Sequence, residues 1–131
     1  LLMYRDGRRV DPQMTPLAQN LASEDLGDLA AFYAAQSPRP RPASVDPAKV
    51  AAGRTLAQGY NCTSCHGPGL QGQNQVPRVA GQDLDYLLKR LRGYRSRTTS
   101  DLEGHMTQAA QPLTDDDIDK LVHFMAGTAI E

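Results

Sequence analysis

Cys62-Thr63-Ser64-Cys65-His66 is the stretch on which the reading of this chain turns. Two cysteines at this spacing followed at once by histidine form the pattern C-x-x-C-H, in which the thiols add to the vinyl groups of a haem and the histidine ligates its iron. Three blander readings compete: a thioredoxin-like redox pair, half of a zinc site, and a chance C-x-x-C closing a small disulfide loop. A zinc site needs further ligands at close spacing, but these are the only two cysteines, and His105 and His123 lie far downstream without that pattern. A thioredoxin-like pair belongs in a βαβ setting, whereas both flanks here read as helix. The expectation is therefore one haem c, held by Cys62, Cys65 and His66.

Composition points the same way. A chain of 131 residues has room for one domain and a piece of another. With no Trp and only two Phe it has little aromatic bulk for a core, and a covalently held porphyrin would supply that apolar volume. A net charge of −1 gives no general pull toward nucleic acid or an anionic membrane. Lys89, Arg90, Arg92, Arg95 and Arg97 form a basic run, and Asp115, Asp116, Asp117 and Asp119 an acidic one. These read as a solvated helix face and a helix N-terminus in preference to docking patches. No apolar run is long enough to span a bilayer and no signal peptide opens the chain, so it reads as soluble, with Leu1 as a cut or processed end. Because c-type haem is attached outside the bacterial cytoplasm, the motif implies a periplasmic location.

Leu26, Leu29, Ala30 and Tyr33 fall on one face of an amphipathic helix for which Ser23 is the expected cap. Residues 37–44 alternate proline with positive charge and read as a stiff, polyproline-like connector and domain boundary. Asp46 and Pro47 then open a helix through Val50, Gly53, Leu56 and Ala57 toward Tyr60, which delivers the C-x-x-C-H motif at its end. The Gly67–Pro77 stretch reads as loop. Leu84, Leu87, Leu88 and Leu91 mark a second amphipathic helix, and 96–113 reads as an irregular polar stretch containing Met106. Thr114 caps a last helix with Ile118, Leu121, Val122 and Met125 on its inner face. Gly53, mid-helix, predicts a close backbone crossing with Phe124 or its neighbours opposite it. No strand pattern competes, so the fold class is all-α.

The two ends of the chain repeat each other. Tyr4 matches Tyr94 ninety residues on, while Met14, Leu21, Asp25, Leu26, Leu29, Phe32 and Ala34 match Met106, Leu113, Asp117, Ile118, Leu121, Phe124 and Ala126 ninety-two residues on. A two-residue insertion separates the offsets. Residues 1–36 thus read as the C-terminal part of a first domain lacking its own haem motif, 37–44 as linker, and 45–131 as a complete domain.

The residues from Gly53 through Cys62-Thr63-Ser64-Cys65-His66-Gly67, Pro77-Arg78-Val79-Ala80-Gly81-Gln82, Tyr86-Leu87, Met106 and Leu113-Thr114-Asp115-Asp116-Asp117-Ile118 resemble class I cytochromes c, specifically the two-haem cytochromes c4. The resemblance implies an all-helical haem domain that carries electrons between periplasmic redox partners. Only one haem motif stands in this sequence, so two-haem behaviour does not carry over. The resemblance also implies that the Pro77 carbonyl holds Nδ1 of His66 and that Arg78 holds a haem propionate; an ordinary surface arginine is the equal alternative.

For the second axial ligand Met106 is preferred over the adjacent His105, because the repeat keeps a methionine seven residues before a leucine in both copies, Met14 before Leu21 and Met106 before Leu113. Met125 reads as core and His123 as a surface histidine. Iron with both axial positions filled has no open site for substrate, which favours an electron carrier over an enzyme. Three functions stay in view: a freestanding carrier, an electron-accepting subunit of a dehydrogenase such as a flavocytochrome, and, less favoured, a haem peroxidase or gas sensor. The apolar face of residues 1–36 needs a cover: the haem domain, a second copy of the chain, or a missing N-terminal peptide bearing its own C-x-x-C-H. The last is preferred, with Met14 as ligand of that second haem.

Overall fold

The computed structural model describes residues 1–39 and 43–130. Pro40, Arg41 and Pro42, at the centre of the expected connector, lie outside the described residues. The chain divides into two compact units, Leu1–Pro38 and Arg39–Glu131.

The first unit holds three helices: α1 (Leu2–Arg5), α2 (Met14–Ala18) and α3 (Ser23–Ala34). Pro16 falls within the first turn of α2, where its missing N–H costs no helical bond. Ser23 does not cap α3. The N-cap is Ala22, whose N–H donates to the Asp25 carboxylate at 2.8 Å, and the Ser23 hydroxyl instead accepts from Arg5 at 3.2 Å. The reason is one of phase: Ser23 already lies inside the first turn, and the acidic residue three places after Ala22 serves the helix start.

The second unit is built from α4 (Pro47–Gly59), α5 (Cys62–His66), α6 (Leu84–Arg95), α7 (His105–Ala110) and α8 (Asp115–Gly127). All regular elements among the described residues are helical; Gln73 and Val76 merely exchange two backbone hydrogen bonds, at 3.0 and 2.9 Å. No described helix is long and apolar enough to cross a membrane. Asp46 caps α4 by accepting the Ala48 N–H at 2.8 Å, with Pro47 in the first turn. Thr114 caps α8 as expected, and Asp117 makes the cap reciprocal: Thr114 Oγ1 accepts the Asp117 N–H at 3.0 Å, and Asp117 accepts the Thr114 N–H at 2.9 Å. The stretch 96–113 is not wholly irregular, because α7 occupies its second half and carries Met106 in its first turn. Six residues are too few to print a helical period on the sequence.

The core centres on α8. Ile118, Leu121 and Val122 are fully buried there, beside Phe124 and Met125, with Ala57 from α4 and Leu87 and Leu91 from α6. Each such large side chain stabilises the fold by about 1.5–3 kcal/mol. The α4–α8 crossing is close, because a Cβ placed on Gly53 would lie 2.2 Å from the Lys120 carbonyl oxygen and 2.8 Å from Phe124 Cβ. Polar contacts flank it. Tyr60 donates to Asp117 at 3.1 Å, Lys49 pairs with Asp119 at 2.7 Å, and the Asp46 N–H donates to His123 Nδ1 at 3.1 Å. His123 is therefore not a surface histidine: its side chain is 13% exposed and ties the start of α4 to the last turns of α8. An apolar helical period cannot reveal such a contact 77 residues away.

The two charged runs meet each other. Arg95 pairs with Asp115 at 2.7 Å and Arg92 with the same carboxylate at 3.8 Å, Lys120 pairs with Asp116, and Arg90 donates to Thr99 and Tyr94. Much of each run is thus spent inside the unit.

The crossing generates a test. Replacing a mid-helix Gly by Ala ordinarily stabilises a helix by about 1 kcal/mol. At Gly53 the clash reverses that sign, so Gly53→Ala should lower the melting temperature, and Gly53→Leu should cost roughly 1–3 kcal/mol or more through overpacking. Thermal unfolding followed by circular dichroism checks both, and an unchanged midpoint in Gly53→Leu would reject the crossing.

Candidate haem site

The end of α4 places the motif. Tyr60 closes the helix, Asn61 turns the chain at a left-handed φ of 56°, and α5 follows as little more than one turn. Residues three apart lie on one helical face, so Cys62 and Cys65 share a side of that turn. The two cysteines form no disulfide; Cys62 is half-buried and packs against the core, and Cys65 is exposed. Burial pushes the Cys62 thiol above its ordinary range. Anchoring of Tyr60 on Asp117 fixes the entry to the turn: the bond raises the phenol's pKa, and Asp117 is held below the usual carboxylate range, first by the Thr114 N–H and then by the Thr114 hydroxyl.

His66 is 6% exposed and its Nδ1 lies 2.8 Å from the Pro77 carbonyl oxygen. A carbonyl only accepts, so Nδ1 carries the hydrogen and Nε2 keeps the lone pair that a metal requires. The loop between α5 and α6 is wound to make this contact. Gly72 N–H donates to the His66 carbonyl at 2.8 Å, and the Gln73 amide donates to the carbonyls of Ser64 and Cys65 at 3.3 and 3.0 Å. Fully buried Leu70 receives the N–H groups of Val79 and Ala80 on its carbonyl, at 3.0 and 3.1 Å. Gln73 and Leu70 were not singled out in the sequence; the only local signal was the density of Gly, Pro, Gln and Asn.

The remaining candidates divide. Met106 is half-buried against the same core cluster as Cys62. His105 is 76% exposed beside Glu103 at 3.2 Å, and Met125 is 5% exposed within the core. Arg78 is exposed and makes no ion pair among the described residues. Met14 belongs to the first unit, at the start of α2. Among the described residues no group of three or more His, Cys, Asp or Glu side chains is placed to hold a metal ion directly. A porphyrin held by two thiols and one free imidazole nitrogen needs no such group, and the donor set of Cys62, Cys65 and His66 fits haem c.

An all-helical domain that presents C-x-x-C-H on a single turn, with the histidine ring fixed through Nδ1, is the class I c-type cytochrome. The family model "Cytochrome c" matches residues 50–129. Cytochrome c4 of Thiocapsa roseopersicina is 35% identical, over 96% of this chain and 70% of its own length. The thiosulfate dehydrogenase electron acceptor of Stutzerimonas stutzeri is 31% identical, over 94% of this chain and 62% of its own. Among solved structures, thiosulfate dehydrogenase (TsdBA) from Marichromatium purpuratum superposes with a TM-score of 0.81 at 31% identity, covering 98% of this chain and 29% of that one. The chain belongs to the cytochrome c family, as an electron-carrying domain related to the cytochromes c4, with one motif for one covalently bound haem c.

Gly72 tests the winding of the loop. It sits at φ 79°, and a Cβ there would lie 2.5 Å from Arg78 N and 2.6 Å from the Val76 carbonyl oxygen. Gly72→Ala should therefore destabilise the holoprotein by more than about 1 kcal/mol and loosen the His66–Pro77 contact. Denaturant unfolding monitored at the haem band checks it.

Proposed function

We propose that this chain accepts electrons from a dehydrogenase, through a haem anchored by Cys62 and Cys65 and ligated by His66 and Met106. The observation that carries the reading is the His66 ring, buried and fixed by Pro77 on the same turn as both anchoring thiols. Two relatives are named thiosulfate dehydrogenase electron acceptor, and the likeness to a thiosulfate dehydrogenase chain extends over 98% of this one. They favour an electron-accepting partner of a dehydrogenase over a freestanding shuttle. When bound, the haem supplies reversible one-electron chemistry. The chain's own residues orient the imidazole through Pro77, pack Met106 against the core, and offer the exposed Arg78 as a partner for a haem carboxylate. A periplasmic site follows from where c-type haem is attached.

We further infer that residues 1–36 are the C-terminal part of a first cytochrome domain. The hydrogen bonds of the two units support this. Arg5 donates to the Leu21 carbonyl at 3.3 Å and to Ser23 at 3.2 Å; Arg95 donates to the Leu113 carbonyl at 3.1 Å and to Asp115 at 2.7 Å. The Ala22 N–H donates to Asp25 as the Thr114 N–H does to Asp117. Burial is what differs: Phe32 is 59% and Tyr33 66% exposed, against 6% and 5% for Phe124 and Met125. The expected cover is the N-terminal part of that first domain, with its own C-x-x-C-H and Met14 as ligand of its haem.

Three outcomes are expected. The oxidised protein should show the weak far-red sulfur-to-iron band, which Met106→Ala removes while opening the iron to exogenous ligands; a band that persists would reject Met106. Mixing the oxidised protein with a thiosulfate-oxidising dehydrogenase and thiosulfate should reduce the haem within the enzyme's turnover time, and a haem that stays oxidised would argue for the freestanding carrier. Pyridine haemochrome measured against peptide mass should give two haems per copy of this chain in a native preparation, whereas a ratio of one would leave Met14 with no haem to ligate.

A further inference from the structure

We propose that Asp101 is a positioning residue for Met106: its carboxylate fixes the backbone from which the thioether is presented. This rests on the reading of Met106 as the second axial ligand. α7 starts after Gly104, which turns the chain at φ 74° and has no side chain with which to cap the helix. The first N–H groups of a helix have no partner within it. Asp101 supplies acceptors from upstream. One carboxylate oxygen accepts the Met106 N–H at 3.1 Å, and the other accepts the Thr107 N–H and hydroxyl, each at 3.2 Å.

The first unit makes the same contact by a different route. Asp11 Oδ1 accepts the Met14 N–H at 2.8 Å and the Gln13 N–H at 2.9 Å. Asp11 stands three residues before Met14 and Asp101 five before Met106, so the two-residue insertion that separates the repeats falls between aspartate and methionine. An Asp side chain ordinarily caps the amide two or three residues on, and five lies outside that local pattern. What the two arrangements share is a carboxylate on the methionine's own amide. A thioether is a neutral ligand on a side chain with three rotatable bonds, so its occupancy of the iron depends on the effective concentration that its backbone anchor sets.

Imidazole titration of the oxidised holoprotein tests the assignment, because imidazole competes with the thioether for iron. Asp101→Ala should bind imidazole on the order of tenfold more tightly, the equivalent of losing one helix cap, and should show a weakened far-red band. Asp101→Asn keeps one acceptor oxygen and should fall between the two. Asp83→Ala, which removes the cap on α6 where Asp83 accepts the Tyr86 N–H at 2.9 Å, controls for general destabilisation and should leave imidazole affinity unchanged. Wild-type affinity in Asp101→Ala, or an equal shift in Asp83→Ala, would overturn the proposal. If Asp101→Ala does not accumulate as holoprotein, Asp101→Asn decides: tighter imidazole binding than wild type supports the proposal and equal binding overturns it. Absence of the far-red band from the wild type would overturn the ligand reading and this proposal together, which distinguishes the two failures.

Discussion

The approach of α4 to α8 at Gly53 is the constraint from which the rest of the second unit follows. With the Lys120 carbonyl oxygen 2.2 Å from where a Cβ would stand, the separation of the two helices is set by backbone rather than by side chains. A backbone contact of this kind has no rotamers through which to slip, so the end of α4 is fixed relative to α8. Tyr60, bonded to Asp117, sits at that end, and the haem-binding turn leaves from the next residue but one. Precision at the cofactor site thus originates in a glycine nine residues upstream of the first cysteine.

His66 receives its orientation from the other direction along the chain. The loop after it returns through Gly72, Gln73 and Leu70, each engaging backbone groups, to bring one carbonyl, that of Pro77, onto Nδ1. A carbonyl can only accept, so this contact places the hydrogen on Nδ1 and determines the tautomer. The same loop is closed onto α8 by the Gly81 N–H, which donates to the Met125 carbonyl at 3.0 Å. Both sides of the site therefore refer to α8, one through α4 and one through the loop.

Much of this was legible in the sequence where a feature repeats over several turns. α4, α6 and α8 print their apolar period, and Asp46-Pro47 and Thr114 mark the starts of α4 and α8. Gly53 was legible for a different reason: a glycine inside a helix is costly unless something lies against it. The short helices α1, α2 and α7 were not, since four to six residues carry no period. Ends closed from outside are also silent, as when Asp101 serves Met106 across a glycine. His123 was misread because its partner, the backbone N–H of Asp46, has no side-chain identity for the sequence to advertise. The His66–Pro77 pairing came through family resemblance; nothing in the residues between them specifies which carbonyl the loop presents.

The two units, taken separately, divide what is encoded locally from what is not. The bonds from Arg5 to Leu21 and Ser23, and from Arg95 to Leu113 and Asp115, join residues no more than twenty positions apart. Their presence in both units means that this lattice forms whether or not a helix like α4 lies against it. Burial, by contrast, is borrowed: Phe124 is covered by α4 at Gly53, and its counterpart Phe32 has no such helix among the described residues of its unit. The local lattice can specify the shape of the segment that carries the methionine, but hydrogen bonds exchanged against water contribute little net stability each. The apolar face supplies the larger favourable term, and in the second unit it acts through α4, which meets Phe124 at Gly53. In the second unit, hydrogen bonds between residues near in sequence thus shape the segment around Leu113, while burial of Phe124 depends on the approach of α4.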